Sequence, residues 1–196
     1  LLTRRLAGYF PGSEHNADPL IDQADYGMKA STLRVIFDEL RGQLVPIVQA
    51  ITRQPLADDS CLRQRFPEAG QWSFGVEVIK RLGYDFNRGR QDKTHHPFTT
   101  KFSIGDVRIT TRFNENHLGD ALFSTIHEAG HAFYELGVNP TFEASPLGTG
   151  TSAGVHESQS RLWENRVGRS HGFWEFFYPQ LQAVFPDQLG SVPLET

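Results

Sequence analysis

The chain is poor in cysteine, in long apolar runs and in charge of one sign. Cys61 is the single cysteine among 196 residues. That excludes an internal disulfide framework and suits a reducing cytoplasm, with Cys61 read as a half-buried spectator thiol. No apolar run approaches the length of a membrane span, and no signal peptide is visible. The net charge of −4 comes without a basic block, which argues against nucleic acid as a partner. Internal repeats and low-complexity tracts are absent too. The first residue is Leu1 rather than Met, and the end, from Gly190 to Thr196, has no obvious closing element. Both features lead to the expectation of a fragment or a processed chain.

What is present reads as globular. Hydrophobic residues make up 38% and charged residues 21%, enough for one domain, or one large lobe, with a core of its own. The patterning is mainly helical. Short helices are expected over Leu1 to Phe10 and Leu20 to Tyr26. Ser31 or Thr32 is placed to cap a long helix running to about Arg53. Leu33, Ile36, Phe37, Leu40, Leu44, Ile47, Val48 and Ile51 recur on it at helical spacing, as one core-facing stripe. Pro46 lies inside this stripe and is expected to kink or divide the helix. Asp59 to Phe66 reads as a further short helix. Pro67 then opens a helix carrying Trp72, Val76, Ile79 and Leu82, with Gly83 after its end. Tyr84 to Lys93 reads as loop.

Strand character is confined to one place. Pro97 to Ser103 is β-prone, Ile104-Gly105-Asp106 can turn, and Val107 to Phe113 alternates. The expectation is a small antiparallel hairpin or sheet feeding the next helix. It could form one wall of a cleft and offer backbone groups to an extended peptide, or be purely structural. A Gly/Pro-rich loop from Asn139 to Gly154 follows that helix, long enough to suggest a functional segment. A helix then opens at Val155, and an aromatic-rich one spans Phe173 to Phe185, interrupted by Pro179.

The chemistry concentrates between hairpin and loop, in Phe123-Ser-Thr-Ile-His127-Glu128-Ala-Gly-His131-Ala-Phe-Tyr134. Residues i and i+4 of an α-helix share a face one turn apart, so His127 and His131 can aim two imidazoles at one ion. Glu128 sits beside that face, where a carboxylate reaches water rather than metal, as in zinc peptidase helices. Leu118, Leu122, Ile126, Ala129 and Phe133 give the segment an apolar stripe, Asn114 or Asn116 can cap it, and Gly137 can end it. A hydrolytic zinc takes three protein ligands and leaves one position open. Glu157, on a helix returning beside the first, is the preferred third ligand. Glu164, two helical turns further on, faces the same way and competes with it. His156 reads equally as a donor behind a ligand, a substrate contact or a surface histidine.

These residues carry a specific resemblance. His127-Glu-Ala-Gly-His131 followed by His156-Glu157-Ser158-Gln159-Ser-Arg-Leu-Trp-Glu-Asn resembles the M32 metallocarboxypeptidases, the carboxypeptidase Taq family. His96-Pro97-Phe98 and Asp106-Val-Arg108-Ile-Thr110 match two further motifs of that family, in its order. The resemblance covers about Leu20 to Gln188. It implies zinc ligands at His127, His131 and Glu157, a general base at Glu128, and a mostly helical peptidase with a deep cleft. It also implies a homodimer that removes residues one at a time from peptide C-termini, with cobalt as a possible substitute for zinc. His96, Asp106, Arg108 and His156 become candidates for contacting substrate or supporting the ligands, with an Asp106–Arg108 structural pair as the plainer reading. Arg112 is a further basic residue near the expected cleft. Family chains are longer and carry Ile-Arg-x-x-Ala-Asp and Gly-x-x-Gln-Asp-x-His-Trp downstream, neither of which occurs here. The chain therefore reads as the central, metal-binding portion of such an enzyme, weakly active or inactive in isolation. The alternatives are a truncated lobe that binds metal or dimerises without catalysis, and an endopeptidase of the same broad metal class.

Overall fold

The computed structural model describes residues 2–195. Their contacts fall into two compact units, Leu1–Ala57 with Ser152–Gly154, and Asp58–Thr151 with Val155–Thr196.

The first unit is helical: α1 (Leu2–Ala7), α2 (Asp18–Ala24) and α3 (Ala30–Thr52). Neither Ser31 nor Thr32 caps α3, which begins one residue earlier and has no side-chain cap from Lys29. Its first N–H groups must still find acceptors. The buried Asp18 supplies one, accepting from Ala30 N–H at 2.9 Å on one oxygen and from the Glu14 and His15 N–H groups at 3.0 Å on the other. A carboxylate brought in by α2 thus replaces the local cap.

Two expectations for α3 are corrected. Its apolar stripe does not face a core: Ile36, Phe37, Leu40, Leu44, Ile47, Val48 and Ile51 are 45 to 65% exposed. Helical spacing specifies a face, but not the presence of a partner to cover it. Nor does Pro46 divide the helix, which runs through it as one element. Proline removes the N–H that the Gly42 carbonyl would receive, and Gly42 is exposed, so water can take that place.

In the second unit the stretch before Pro67 makes only a single 3-10 turn, Ser60–Leu62, instead of the expected helix. A segment this short does not repay nucleation, and Phe66 is steered out of helical geometry by the proline after it. Helix α4 (Glu68–Leu82) follows. Gly83 closes it in the left-handed region at φ 110°, with Tyr84 N–H donating back to the Ile79 carbonyl at 2.8 Å.

The expected hairpin is present as β2 (Thr99–Ser103) and β3 (Asp106–Thr111), but the sheet has a third strand. β1 (Gln91–Lys93), from a segment read as loop, lies parallel to β3 on its other side, giving the order β1-β3-β2. Its pairing is carried by main-chain groups, with Ile109 N–H donating to the Arg90 carbonyl at 2.9 Å, so the polar side chains gave no sign of it. Val107, Ile109 and Thr111 are fully buried along β3, on one face as the alternation predicts.

Helix α5 (Leu118–Leu136) is the centre of this unit. Neither Asn114 nor Asn116 caps it: the preceding residue, His117, makes no side-chain cap, and Asn114 instead accepts from Asn116 N–H at 3.0 Å. Leu118, Leu122 and Ile126 pack with Phe74 and Val78 of α4 and with Phe173, Phe177 and Leu181 of α7 (His171–Val184). Ala129 and Ala132 pack instead against Ile79, Tyr84, Val107 and Ile109, the sheet side. Two apolar faces therefore hold one helix, each large buried side chain contributing about 1.5–3 kcal/mol. The third face is left for polar groups. Beyond α5 come α6 (Ala153–Arg161), a wider π-helical turn over Leu162–Val167, α7 with Pro179 inside it unbroken, and α8 (Pro186–Leu189). Among the described residues no helix is long and apolar enough to cross a membrane.

Candidate metal centre

The polar face of α5 lines an open cleft of about 670 Å³ in the second unit. Its wall includes His96, Pro97, Phe98, Thr99, Lys101 and Arg112 from the sheet side. From α5 and α6 come His127, Glu128, His131, Glu135, His156 and Glu157.

His127, His131 and Glu157 converge here, with their nearest ligand atoms all within 4.8 Å of one another. Glu157 Oε2 lies 3.8 Å from His127 Nε2. Helices α5 and α6 approach this closely because Gly130 sits between the two histidines. A Cβ at Gly130 would lie 2.7 Å from Ser160 Cα, so any side chain would push α6 away. Two imidazoles and one carboxylate, with Glu157 half exposed towards solvent, form a donor set suited to zinc with a position to spare.

The protonation states agree with that use. Burial, helped by the charge of His127, holds His131 well below the ordinary histidine range, at about 4. It is therefore neutral at pH 7 and has a lone pair to offer. Glu157 is held below the usual carboxylate range. Partial burial acts against its charge, but the Ser160 hydroxyl at 2.9 Å and the nearby His127, His131 and Arg161 outweigh it.

Both histidines have partners behind them. His127 Nδ1 lies 2.9 Å from Glu164 Oε2, and Glu164 also accepts from Arg161 and Arg169 at 3.2 and 3.1 Å. Glu164, the competing third ligand by helical phase, thus lies on the far side of the His127 ring. His131 Nδ1 lies 2.8 Å from His156 Nδ1, and His156 Nε2 lies 2.8 Å from Glu135 Oε1.

Glu128 is buried next to His127. The Thr99 hydroxyl lies 2.7 Å from its Oε2 and 2.9 Å from its main-chain carbonyl. Burial pushes the carboxyl up from its ordinary value, against the lowering effect of that hydroxyl. Thr99 and Lys101 project from one side of β2, two residues apart, and Lys101 reaches Glu135 Oε2 at 2.8 Å. His96 lines the cleft.

Asp106 and Arg108 lie outside the cleft and line a separate shallow groove. They pair with each other at 2.6 and 2.9 Å, and the guanidinium stacks over Phe102, 4.6 Å from the ring centroid. Asp106 begins β3, far along the strand from the end that leads to α5, and Arg108 alternates away from the buried Val107 and Ile109.

The sequence reading passed over Thr99, Lys101 and Glu135. Glu135 had a signal, since it continues the His127, His131 series by another four residues. Thr99 and Lys101 had only strand alternation, which does not say what they face.

The family model for Carboxypeptidase Taq (M32) metallopeptidases matches residues 1–196. The chain is 44% identical over 181 residues to Thermostable carboxypeptidase 1 of Thermus thermophilus, covering 91% of this chain and 35% of that one. It is 37% identical over 193 residues to Carboxypeptidase 1 of Bacillus subtilis, covering 98% and 38%. Among solved structures, the M32 carboxypeptidase from Deinococcus radiodurans R1 superposes with a TM-score of 0.95 at 49% identity, covering 99% of this chain and 39% of that one. The chain thus spans 35 to 39% of the length of these relatives.

Proposed function

The chain belongs to the carboxypeptidase Taq (M32) family of metallopeptidases, and from that premise we propose that it is the zinc-binding part of a metallocarboxypeptidase acting on peptides with a free C-terminus. The observation that carries this is the convergence of His127, His131 and Glu157 beside a buried Glu128.

In this reading His127, His131 and Glu157 hold a divalent cation, with cobalt able to replace zinc. Such a cation, when bound, supplies Lewis acidity that polarises a carbonyl and lets water deprotonate near pH 7. Glu128 takes the proton from the attacking water and hands it on to the leaving amine. Its Oε2 is engaged by Thr99, which leaves Oε1 for the proton. The raised pKa that burial gives this carboxyl makes it a stronger base than an exposed glutamate. Arg112 lines the cleft and has no ion pair or hydrogen bond to another described residue, so its guanidinium is free for a substrate carboxylate, the group it matches with two parallel hydrogen bonds. β2 is an edge strand of the sheet and offers an extended peptide main-chain partners.

A second reading, a lobe that binds metal without turnover, is favoured by the chain's span of 35 to 39% of its relatives. A homodimer in the cytoplasm remains part of the proposal for the whole protein. One experiment separates the readings. The purified chain and its Glu128→Gln variant are loaded with zinc, their metal content is measured, and both are given an N-blocked dipeptide. Equal metal with turnover only in the unsubstituted chain supports catalysis. Equal metal without turnover in either supports the binding lobe. Equal turnover in both would refute the base assignment, and no metal in either would refute the site.

A further inference from the structure

The hydrogen bonds behind His131 run through His156 to Glu135, further along α5. The Glu135 carboxylate can only accept hydrogen bonds. It receives them from His156 Nε2 at 2.8 Å, Thr149 Oγ1 at 3.0 Å and Gly150 N–H at 3.2 Å on Oε1, and from Lys101 Nζ at 2.8 Å on Oε2. Lys101 also donates to the Gly148 carbonyl. A neutral imidazole carries one N–H and one lone pair. For a neutral His156 whose proton is committed to Glu135 through Nε2, Nδ1 is an acceptor. His131 Nδ1, 2.8 Å away, must then be the donor. That places the His131 proton on Nδ1 and leaves the Nε2 lone pair for the ligand cluster.

The arrangement is built rather than incidental. Glu135 and Lys101 side chains are 8 and 17% exposed. Gly150 packs so closely on the relay that a Cβ there would lie 2.6 Å from His156 Cδ2. The other ligand histidine has no such relay, since Glu164 meets His127 Nδ1 directly.

We infer that Glu135 and His156 are positioning residues which, through a two-step hydrogen-bond relay, fix His131 in the Nδ1–H tautomer and so set the cation affinity of the site. This rests on the metal-site reading above and deepens it. Partners of this kind behind a ligand are worth about 10–100-fold in metal affinity.

The test has two parts. Long-range proton–nitrogen correlation spectra of the metal-free chain report which His131 nitrogen carries the proton. The expected result is Nδ1–H, with a shift towards Nε2–H in His156→Phe and Glu135→Ala. Finding Nε2–H in the unsubstituted chain would overturn the relay, and needs no variant to fold. The second part titrates the chain with Co2+ by visible absorption. Dissociation constants about 10–100-fold higher in His156→Phe, and a smaller increase in Glu135→Gln, which keeps an acceptor oxygen, support the inference. Unchanged constants in variants with unchanged near-ultraviolet circular dichroism overturn it. Failure of the unsubstituted chain to bind Co2+ overturns the metal reading instead, and leaves the tautomer measurement to decide the relay.

Discussion

Gly130 of α5 and Ser160 of α6 meet backbone to backbone, with space for no more than a hydrogen between them. Gly130→Ala therefore has to move α6, which carries Glu157, or strain α5. Overpacking of this kind costs about 1–3 kcal/mol. Cation affinity is expected to fall by at least about tenfold while α5 stays helical. Calorimetric titration with Zn2+ alongside far-ultraviolet circular dichroism checks this, and retention of full affinity would show that α6 keeps Glu157 in place despite the added methyl.

Acid stability is expected to depend on Glu135. Burial opposes its charge, but His156, Lys101, Gly150 and Thr149 hold its carboxyl at about 2, below the ordinary 4.5. A depressed carboxylate gives stability that is complete above the unfolded-state value and is lost as pH falls through the folded one. Its contribution, on the order of 2–3 kcal/mol for a shift of this size, is thus present at pH 5 and gone by about pH 2. Urea unfolding of the chain and of Glu135→Gln across that window should show two curves that converge towards low pH. A constant gap down to pH 2 would count against the assignment.

Apolar truncations should separate the two units. Leu40 on α3 is 52% exposed, whereas Ile126 on α5 is fully buried. Leu40→Ala is expected to change stability by about 0.5 kcal/mol or less, and Ile126→Ala to cost about 2–5 kcal/mol. Thermal unfolding resolves the difference, at about 2–4 °C per kcal/mol for a chain of this size.

Arg112 gives a prediction about ligand preference. The zinc-loaded chain should bind an N-blocked dipeptide with a free carboxylate about tenfold or more tighter than its amide, as expected for a charged hydrogen bond. In Arg112→Ala that preference should disappear with metal content unchanged. Titration calorimetry with the two peptides measures it, and a preference that survives places the carboxylate elsewhere.

Much of the site could be read from spacing. An i, i+4 pair of histidines with an adjacent glutamate needs only a helix to converge, and α5 forms where its apolar stripe requires. Glu157 depended on a second helix returning at the right distance, which Gly130 permits. The relay to Glu135 was not readable, because it joins α5, α6, β2 and the loop at Thr149, and no local pattern reports four elements meeting. β1 was hidden for a related reason, since main-chain pairing leaves no mark on side-chain pattern. The stripe on α3 misled in the opposite direction. Its period is correct for a buried face, yet period carries no information about what lies opposite.

The π-helical turn at Leu162–Val167 bears on how the centre comes apart. Glu157 lies just ahead of that turn and Glu164 within it, and the two carboxylates address the two nitrogens of one ring. His127 thus has a carboxylate on each side of its ring, in hydrogen-bond contact at Nδ1 and 3.8 Å away at Nε2. Because Glu164 lies within the wider turn and Glu157 ahead of it, a residue inserted or deleted between them would carry one carboxylate away from the ring while the other keeps its side.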